Sequence, residues 1–269
     1  THGDSMSTVS YEVSDHVAIL TLNRPQALNA LDLAMIEDLR EATARAAFAP
    51  EVRAVLLRAA GDHFMAGGDL RWFREQVAQP AEQRQLRFER VIADVHFAIL
   101  NLKNMPKPVV AAVQGAVAGF GMSLMMACDL VVAADDAYFT LAYSNIALSP
   151  DGGATWSLPR QVGLKQAMEI ALLGERFDAG RARELGLLNR VVPLPQLSSV
   201  ALELAQRLAS GPTGALARTK ALLNQSLATS LAAQLQAEQQ AFAACAAEAD
   251  FGEGLAAFFE RRPAAYARS

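Results

Sequence analysis

Cysteine is almost absent: only Cys128 and Cys245 occur in 269 residues. They lie far apart in apolar surroundings and match no zinc or redox spacing, so both are expected as buried thiols in a reducing compartment. A strong charge of either sign is lacking as well. The formal net charge of −4 leaves no electrostatic footprint for nucleic acid or an anionic membrane surface. A few local cations and helix N-termini could still hold a polyanionic small ligand. Residues 1–5, ahead of Met6, lack the charged-then-apolar order of a signal peptide and read as an expression remnant, with the native start expected at Met6. The stretch between Lys107 and Asp129 carries no charge and is long enough to span a bilayer. Pro108, Gln114, Gly115, Gly119 and Gly121 interrupt it, however, so it reads as buried strand, glycine turn, buried helix and buried strand. A soluble, cytoplasmic protein with no nucleic-acid or membrane partner is expected.

What is present is apolar residue, 52% of the chain against 19% charged, and the length suits one large domain or one domain with a small appendage. Strands are expected over 9–13 and 17–23, turning at Ser14-Asp15, and a helix over 33–48 with Asp32 as its N-cap. A buried strand over 52–59 precedes helices over 70–77 and 83–102, the second ended by Pro106 and Pro108. Further strands are expected over 109–113, 130–134 and 138–141. From about Thr155 the pattern turns helical, with runs over 165–173, 179–185, 197–209 and 216–242. An α/β core followed by a helical C-terminal region results.

Three glycine-bearing segments carry the chemical signal. Asp62-His-Phe-Met-Ala-Gly-Gly-Asp-Leu70 places small residues ahead of a helix, where a ligand could approach free backbone N–H groups. Gly115-Ala-Val-Ala-Gly-Phe-Gly-Met-Ser123 does the same and is neither a Walker loop nor a dinucleotide fingerprint. Ala147-Leu-Ser-Pro-Asp-Gly-Gly-Ala-Thr-Trp156 is first of all a turn. Taken singly, the first and third are better explained as plain connection and turn, and the second is explained equally well by close helix–strand packing. Together they could aim two backbone donors and one carboxylate at a single carbonyl, which suffices to form an enolate.

In order, Arg24-Pro-Gln-Ala-Leu-Asn-Ala-Leu31, Phe64-Met-Ala-Gly-Gly-Asp-Leu70, Lys107-Pro-Val-Val-Ala-Ala-Val-Gln-Gly115, Cys128-Asp129 and Pro150-Asp-Gly-Gly153 resemble the crotonase superfamily of enoyl-CoA hydratases and isomerases. Leu158-Pro-Arg-Gln-Val-Gly163, the segment 179–192 and Glu253-Gly-Leu-Ala-Ala-Phe-Phe-Glu-Arg-Arg262 continue the likeness. The resemblance implies an α/β spiral of stacked ββα units over residues 6–200 and a helical trimerisation region over 201–269. It implies a homotrimer or dimer of trimers acting on an acyl-CoA, with coenzyme A present as part of the substrate and no permanently bound cofactor or metal. It assigns an oxyanion hole to the N–H groups of Gly68 and Phe120. Coenzyme A would meet Arg24, Gln26, Ala27 and Leu28 at one end. Ala66, Gly68, Asp69 and Leu70 would hold its pantetheine and adenine. Phe258 and Arg261 would reach the ligand of a neighbouring subunit, with core packing an equal alternative for Phe258.

Hydratases of this family use two glutamates, and here the first matching position is Ser123 while the second neighbourhood offers Asp151. Serine alone is a poor acid or base. The chain therefore looks nearest to the single-Asp enoyl-CoA isomerases of phenylacetate-type pathways, in which Asp151 would move a proton from C2 to C4. Burial would raise the pKa of Asp151 and make it a better base. His96 and Tyr143 resemble the His and the aromatic residue of 4-chlorobenzoyl-CoA dehalogenases, although a His on an apolar helix is more often a core residue. Trp72, Phe73 and Phe88 are expected as core, with a pocket lining as the alternative. Hydration through Asp151 with Ser123 positioning water, a dehalogenase-like reaction, and a non-catalytic acyl-CoA-binding scaffold remain the alternatives.

Overall fold

β1 (Val9–Ser14) and β2 (Val17–Leu22) form an antiparallel hairpin with Ser14 opposite Val17 in a computed structural model that describes residues 7–266. The expected start at Met6 and the last residues of the region 201–269 lie outside the described residues. The reversal is made by Asp15 and His16 at φ 49° and 64°, one residue later than expected. Positive φ at both central positions gives the turn a twist that matches the strands. α1 (Leu33–Phe48) follows, with Asp32 Oδ1 accepting from Met35 N at 2.9 Å. The chain then runs through β3 (Ala54–Ala59), α2 (Leu70–Val77), α3 (Ala81–Asn104), β4 (Val109–Val113), β5 (Ala116–Ala118) and α4 (Phe120–Ala127). Next come β6 (Leu130–Ala134), β7 (Tyr138–Thr140), α5 (Ala154–Val162), α6 (Leu164–Leu173), β8 (Phe177–Asp178), α7 (Ala179–Glu184) and β9 (Arg190–Val192). Four helices follow among the described residues: α8 (Leu197–Ala209), α9 (Thr213–Ser226), α10 (Leu231–Ala246) and α11 (Ala249–Glu260).

The strands form two sheets, ordered β1-β2-β3-β4-β6-β9 and β5-β7-β8. In the larger sheet every pair after the hairpin is parallel. Its two faces are both buried. Val17, Ile19, Leu56, Val110 and Val132 meet Leu197, Ala201 and Leu204 of α8. The alternating residues Leu20, Leu57, Ala111 and Val131 join the main core with Leu39 of α1 and Leu102 of α3. Burial on both sides is why these strands read as unbroken apolar runs.

The spiral is visible in how each turn serves both sheets. β4 leads to β5 and β6 leads to β7, while β3 leads to Met65, which is bridged in parallel to Val117 of β5. Val117 in turn lies opposite Phe139 of β7. Met65, Val117 and Phe139 are thus successive rungs, and the segments leaving them emerge side by side. This is the crotonase-type α/β spiral with a helical C-terminal region.

Several local expectations need correction. β5, β8 and β9 were not foreseen, because two or three residues are too few to show a period. The strand expected from residue 52 begins at Ala54, and the helix expected over 83–102 extends to Ala81–Asn104. The run over 216–242 is broken between α9 and α10, where Ser230 Oγ accepts from Ala233 N at 3.3 Å and starts a new helix. Cys128 is buried, with its thiol pushed up to about 12 by burial, but Cys245 is only partly buried. The boundary expected after residue 200 falls inside α8, which lies along the large sheet. No helix among the described residues is long and apolar enough to cross a membrane.

Candidate active site

Three loops leave the stacked rungs. In the first, Leu31 N donates to Gly67 O at 2.8 Å, Asp69 N to Leu31 O at 2.9 Å, and Ala66 N to Leu28 O at 3.1 Å. Asp69 then caps α2, its Oδ1 accepting from Arg71 N at 2.9 Å. In the second, Ala118 N donates to Met65 O at 2.9 Å and Gly119 N to Thr140 O at 2.9 Å. Gly119 sits at φ 53°, and a Cβ there would meet Gly67 Cα at 3.4 Å. Glycine thus lets the two backbones touch. The N–H groups of Gly68 and Phe120 take no part in this ladder. Among the described residues, neither donates to a protein acceptor, and both residues line the same cavity.

The third loop brings in the carboxylate. After β7 the chain makes a 3-10 turn, Tyr143–Ile146, bracketed by Ala142 at φ 47° and Ala147 at φ 56°. It then runs through Pro150 and Asp151 to Gly152 (φ 60°), where a Cβ would lie 2.7 Å from the Phe120 ring and 2.8 Å from Ser123 Cβ. The Asp151 turn is therefore pressed against the start of α4. Ser123 Oγ donates to the Asp151 carbonyl at 2.8 Å, and Tyr143 Oη donates to Asp151 Oδ1 at 2.5 Å. Burial raises the pKa of Asp151 above the usual carboxylate range, partly opposed by the Tyr143 hydrogen bond and the charge of His96. Burial, together with the Asp151 charge, pushes the Tyr143 phenol upward, so it stays a donor.

These groups face a cavity of about 760 Å³. Of the sequence-predicted residues, Gly68, Phe120, His96, Tyr143, Asp151, Ala66 and Leu70 line it together. His96 is exposed on α3 and faces the cavity, which corrects the core reading. Trp72, Phe73 and Phe88 also line it, their rings meeting edge-on at centroid distances of 5.2 to 5.7 Å, so the core default fails for them too. Ser123 is 1% exposed and outside the lining, with its hydroxyl committed to the Asp151 main chain. Ser123 thus braces the third loop against α4.

Other expected residues stand elsewhere. Arg24 bridges two loops, its guanidinium pairing with Asp69 at 2.8 Å and Asp32 at 3.1 Å and donating to Ala30 O at 2.7 Å. Burial acts to raise the Asp69 pKa, but Arg24 and the N–H groups of Arg71 and Trp72 outweigh it and hold the carboxyl low. Gln26 and Ala27 belong to a 3-10 turn and Leu28 ends it at φ 55°; none of the three lines the cavity. Phe258 is 76% exposed on α11, which overturns core packing for it, and Arg261 ends that helix at φ 53°. Sequence reasoning missed Val91, Ile92 and Val95, which join Phe88 and His96 in one stripe of α3 at helical spacing and complete the cavity wall. It also missed Asp32, which reaches the cavity but is committed to Met35 N and Arg24. Two backbone N–H groups without a protein acceptor among the described residues, a carboxylate with raised proton affinity and an apolar wall form a set that can remove a proton next to a carbonyl and hold the resulting oxyanion.

Residues 12–269 match the enoyl-CoA hydratase/isomerase family. A Rhodobacter capsulatus protein named "Probable enoyl-CoA hydratase" is 38% identical over 96% of this chain and 97% of its own length. The 1,2-epoxyphenylacetyl-CoA isomerase of Escherichia coli K12 is 36% identical over 96% and 97%. Among solved structures, an enoyl-CoA hydratase from Polaromonas sp. JS666 superposes with a TM-score of 0.90 at 37% identity, covering 96% of this chain and 99% of that one. Likeness at that level over nearly the whole length, in sequence and in fold, leads to one conclusion: the chain belongs to the enoyl-CoA hydratase/isomerase family of the crotonase superfamily.

Proposed function

We propose that this enzyme moves the double bond of a 3-enoyl-CoA to the 2-position, with Asp151 as the single acid/base. The observation that carries this reading is that Asp151 has raised proton affinity and, among the described residues, no cationic side chain bonded to it; Ser123, where the family resemblance puts a hydratase's first glutamate, braces the loop. The thioester oxygen would accept from Gly68 N and Phe120 N, two donors of fixed direction. Asp151 takes a proton from C2 as the electron pair moves onto the thioester oxygen, giving a dienolate. The same carboxyl returns the proton at C4 as the pair moves back and the double bond forms between C2 and C3. No water takes part, and the apolar α3 wall favours its exclusion. Losing one oxyanion donor of this kind raises the barrier by about 3–4 kcal/mol, so the pair carries much of the rate enhancement.

The coenzyme A portion would run along Ala66 to Leu70, with Gln26, Ala27 and Leu28 beside it. Phe258 and Arg261 would contribute from a neighbouring subunit of a homotrimer or dimer of trimers. Arg24 would act indirectly, by holding the two loops together. The isomerase name of the Escherichia coli relative supports the reading. The hydratase names of other relatives make hydration the competing one, which would require Asp151 to activate water without a second carboxylate.

The test offers 3-hexenoyl-CoA and crotonyl-CoA to the protein and to Asp151→Asn. Double-bond migration without hydration is expected, reduced about 10²–10⁴-fold by the substitution. Efficient crotonyl-CoA hydration overturns the isomerase assignment. Inertness toward both substrates points to dehalogenation or to a binding scaffold.

A further inference from the structure

We infer that Tyr143 is the positioning residue of this site: it holds Asp151 Oδ1 so that the other carboxylate oxygen alone faces the substrate and carries the proton between C2 and C4. The inference rests on Asp151 being the acid/base, and it concerns how a single carboxylate can serve two carbons.

Asp151 is held twice. Ser123 Oγ fixes its main chain at 2.8 Å, and Tyr143 Oη fixes its side chain at 2.5 Å. A 1,3-proton shift needs an oxygen that returns the proton it took, at a second carbon on the same face of the substrate. A carboxylate free to rotate about χ2 would spend part of its time with the proton turned away. A donor on one oxygen removes that freedom and leaves the other as the proton carrier. The phenol suits this role because it remains protonated.

The backbone that brings Tyr143 here is itself unusual. Ala142 and Ala147 both occupy the left-handed region, at φ 47° and 56°, where alanine is disfavoured. Leu148 N donates to Tyr143 O at 3.1 Å and Ala147 N to Ser144 O at 3.1 Å, closing the turn on itself. Strain of this kind persists where surrounding contacts over-determine it, and such sites cluster at functional centres. Here what the strained turn delivers to the cavity is the Tyr143 ring, with its hydroxyl on Asp151.

His96 of α3 is the other titratable group whose charge acts on Asp151, so the pH profile must be read with both residues in view. The experiment compares the parent protein, Tyr143→Phe and Asp151→Asn on 3-hexenoyl-CoA across pH. Tyr143→Phe keeps the ring and its packing and removes only the hydroxyl. The expected result is a fall in kcat of about ten- to a hundredfold with KM nearly unchanged. The acidic limb of kcat/KM should move to higher pH, because the carboxylate loses a donor that favours its charged form. A parental kcat and an unmoved limb in Tyr143→Phe, with Asp151→Asn inert, overturn the positioning role while leaving Asp151 as the base. Full activity of Asp151→Asn overturns both.

Discussion

Burial raises the proton affinity of Asp151, and the Tyr143 hydrogen bond and the His96 charge only partly offset it. The consequence for stability has a definite sign. When an acid's folded-state pKa lies above its unfolded value, the native state binds more protons in the interval between them. Stability is then fully present below the unfolded pKa, falls as pH rises through the interval, and stays lower above it. An asparagine at 151 has nothing to ionise, and its carbonyl oxygen can still accept from Tyr143. Asp151→Asn is therefore expected to melt at a higher temperature than the parent near neutral pH. The gap should close as pH falls toward about 3, where the unfolded-state carboxyl is also protonated. Thermal unfolding of both proteins across that range checks this. A lower melting temperature for the variant at neutral pH contradicts the burial argument. Stabilisation with loss of catalysis is what a functional residue held in an unfavourable environment should show.

Between the elements, the decisive contact is that of the third loop with α4. A Cβ at Gly152 would fall within 3 Å of both the Phe120 ring and Ser123, and its φ of 60° already disfavours any L side chain. Gly152→Ala must displace either Phe120, a proposed oxyanion donor, or the turn that carries Asp151. Displacement of about 1 Å at such a site can cost about a hundredfold in rate. The expected outcome is a kcat loss of at least about tenfold with acyl-CoA binding retained, measured by steady-state kinetics and by isothermal titration with a non-reactive thioester analogue. Unchanged kcat would mean that the contact is slack. The glycine loops were legible in the sequence because close backbone approach leaves its mark in composition, at Gly67, Gly119 and Gly121. The α1 boundaries and its Asp32 cap were legible because periodicity and capping agreed. The contact between Tyr143 and Asp151 was not, since it depends on two alanines in the left-handed region, a conformation alanine does not announce. Nor could the α3 stripe from Phe88 to His96 reveal its partner. Apolar residues at helical spacing mark the covered side of a helix whether protein or ligand covers it.

Across the whole molecule, the C-terminal helices are attached by polar contacts more than by a core of their own. Lys220 of α9, with a side chain 9% exposed, donates to Leu102 O at 2.7 Å and Lys107 O at 3.0 Å and pairs with Asp129 at 2.8 Å. That pins α9 to the end of α3 and the start of β4. Beyond this anchor, α9 and α10 hold no buried residue, and in α11 only Ala257 is buried. Leu223, Leu231, Leu235, Phe242, Phe258 and Phe259 are all exposed. Apolar exposure on that scale over adjoining helices fits the proposed assembly, in which a neighbouring subunit would cover it. Replacing Phe242 and Phe259 with Asp together places charge in that surface without touching the Lys220 anchor. The double variant is expected to elute as a monomer in size-exclusion chromatography with light scattering, where the parent elutes as a trimer or a multiple of one. Its far-UV circular dichroism should match that of the parent. Because Phe258 and Arg261 are proposed to reach a neighbour's ligand, dissociation should also raise KM for the acyl-CoA more than it lowers kcat. A parent that is monomeric at every concentration would remove both the subunit interface and the shared coenzyme A site.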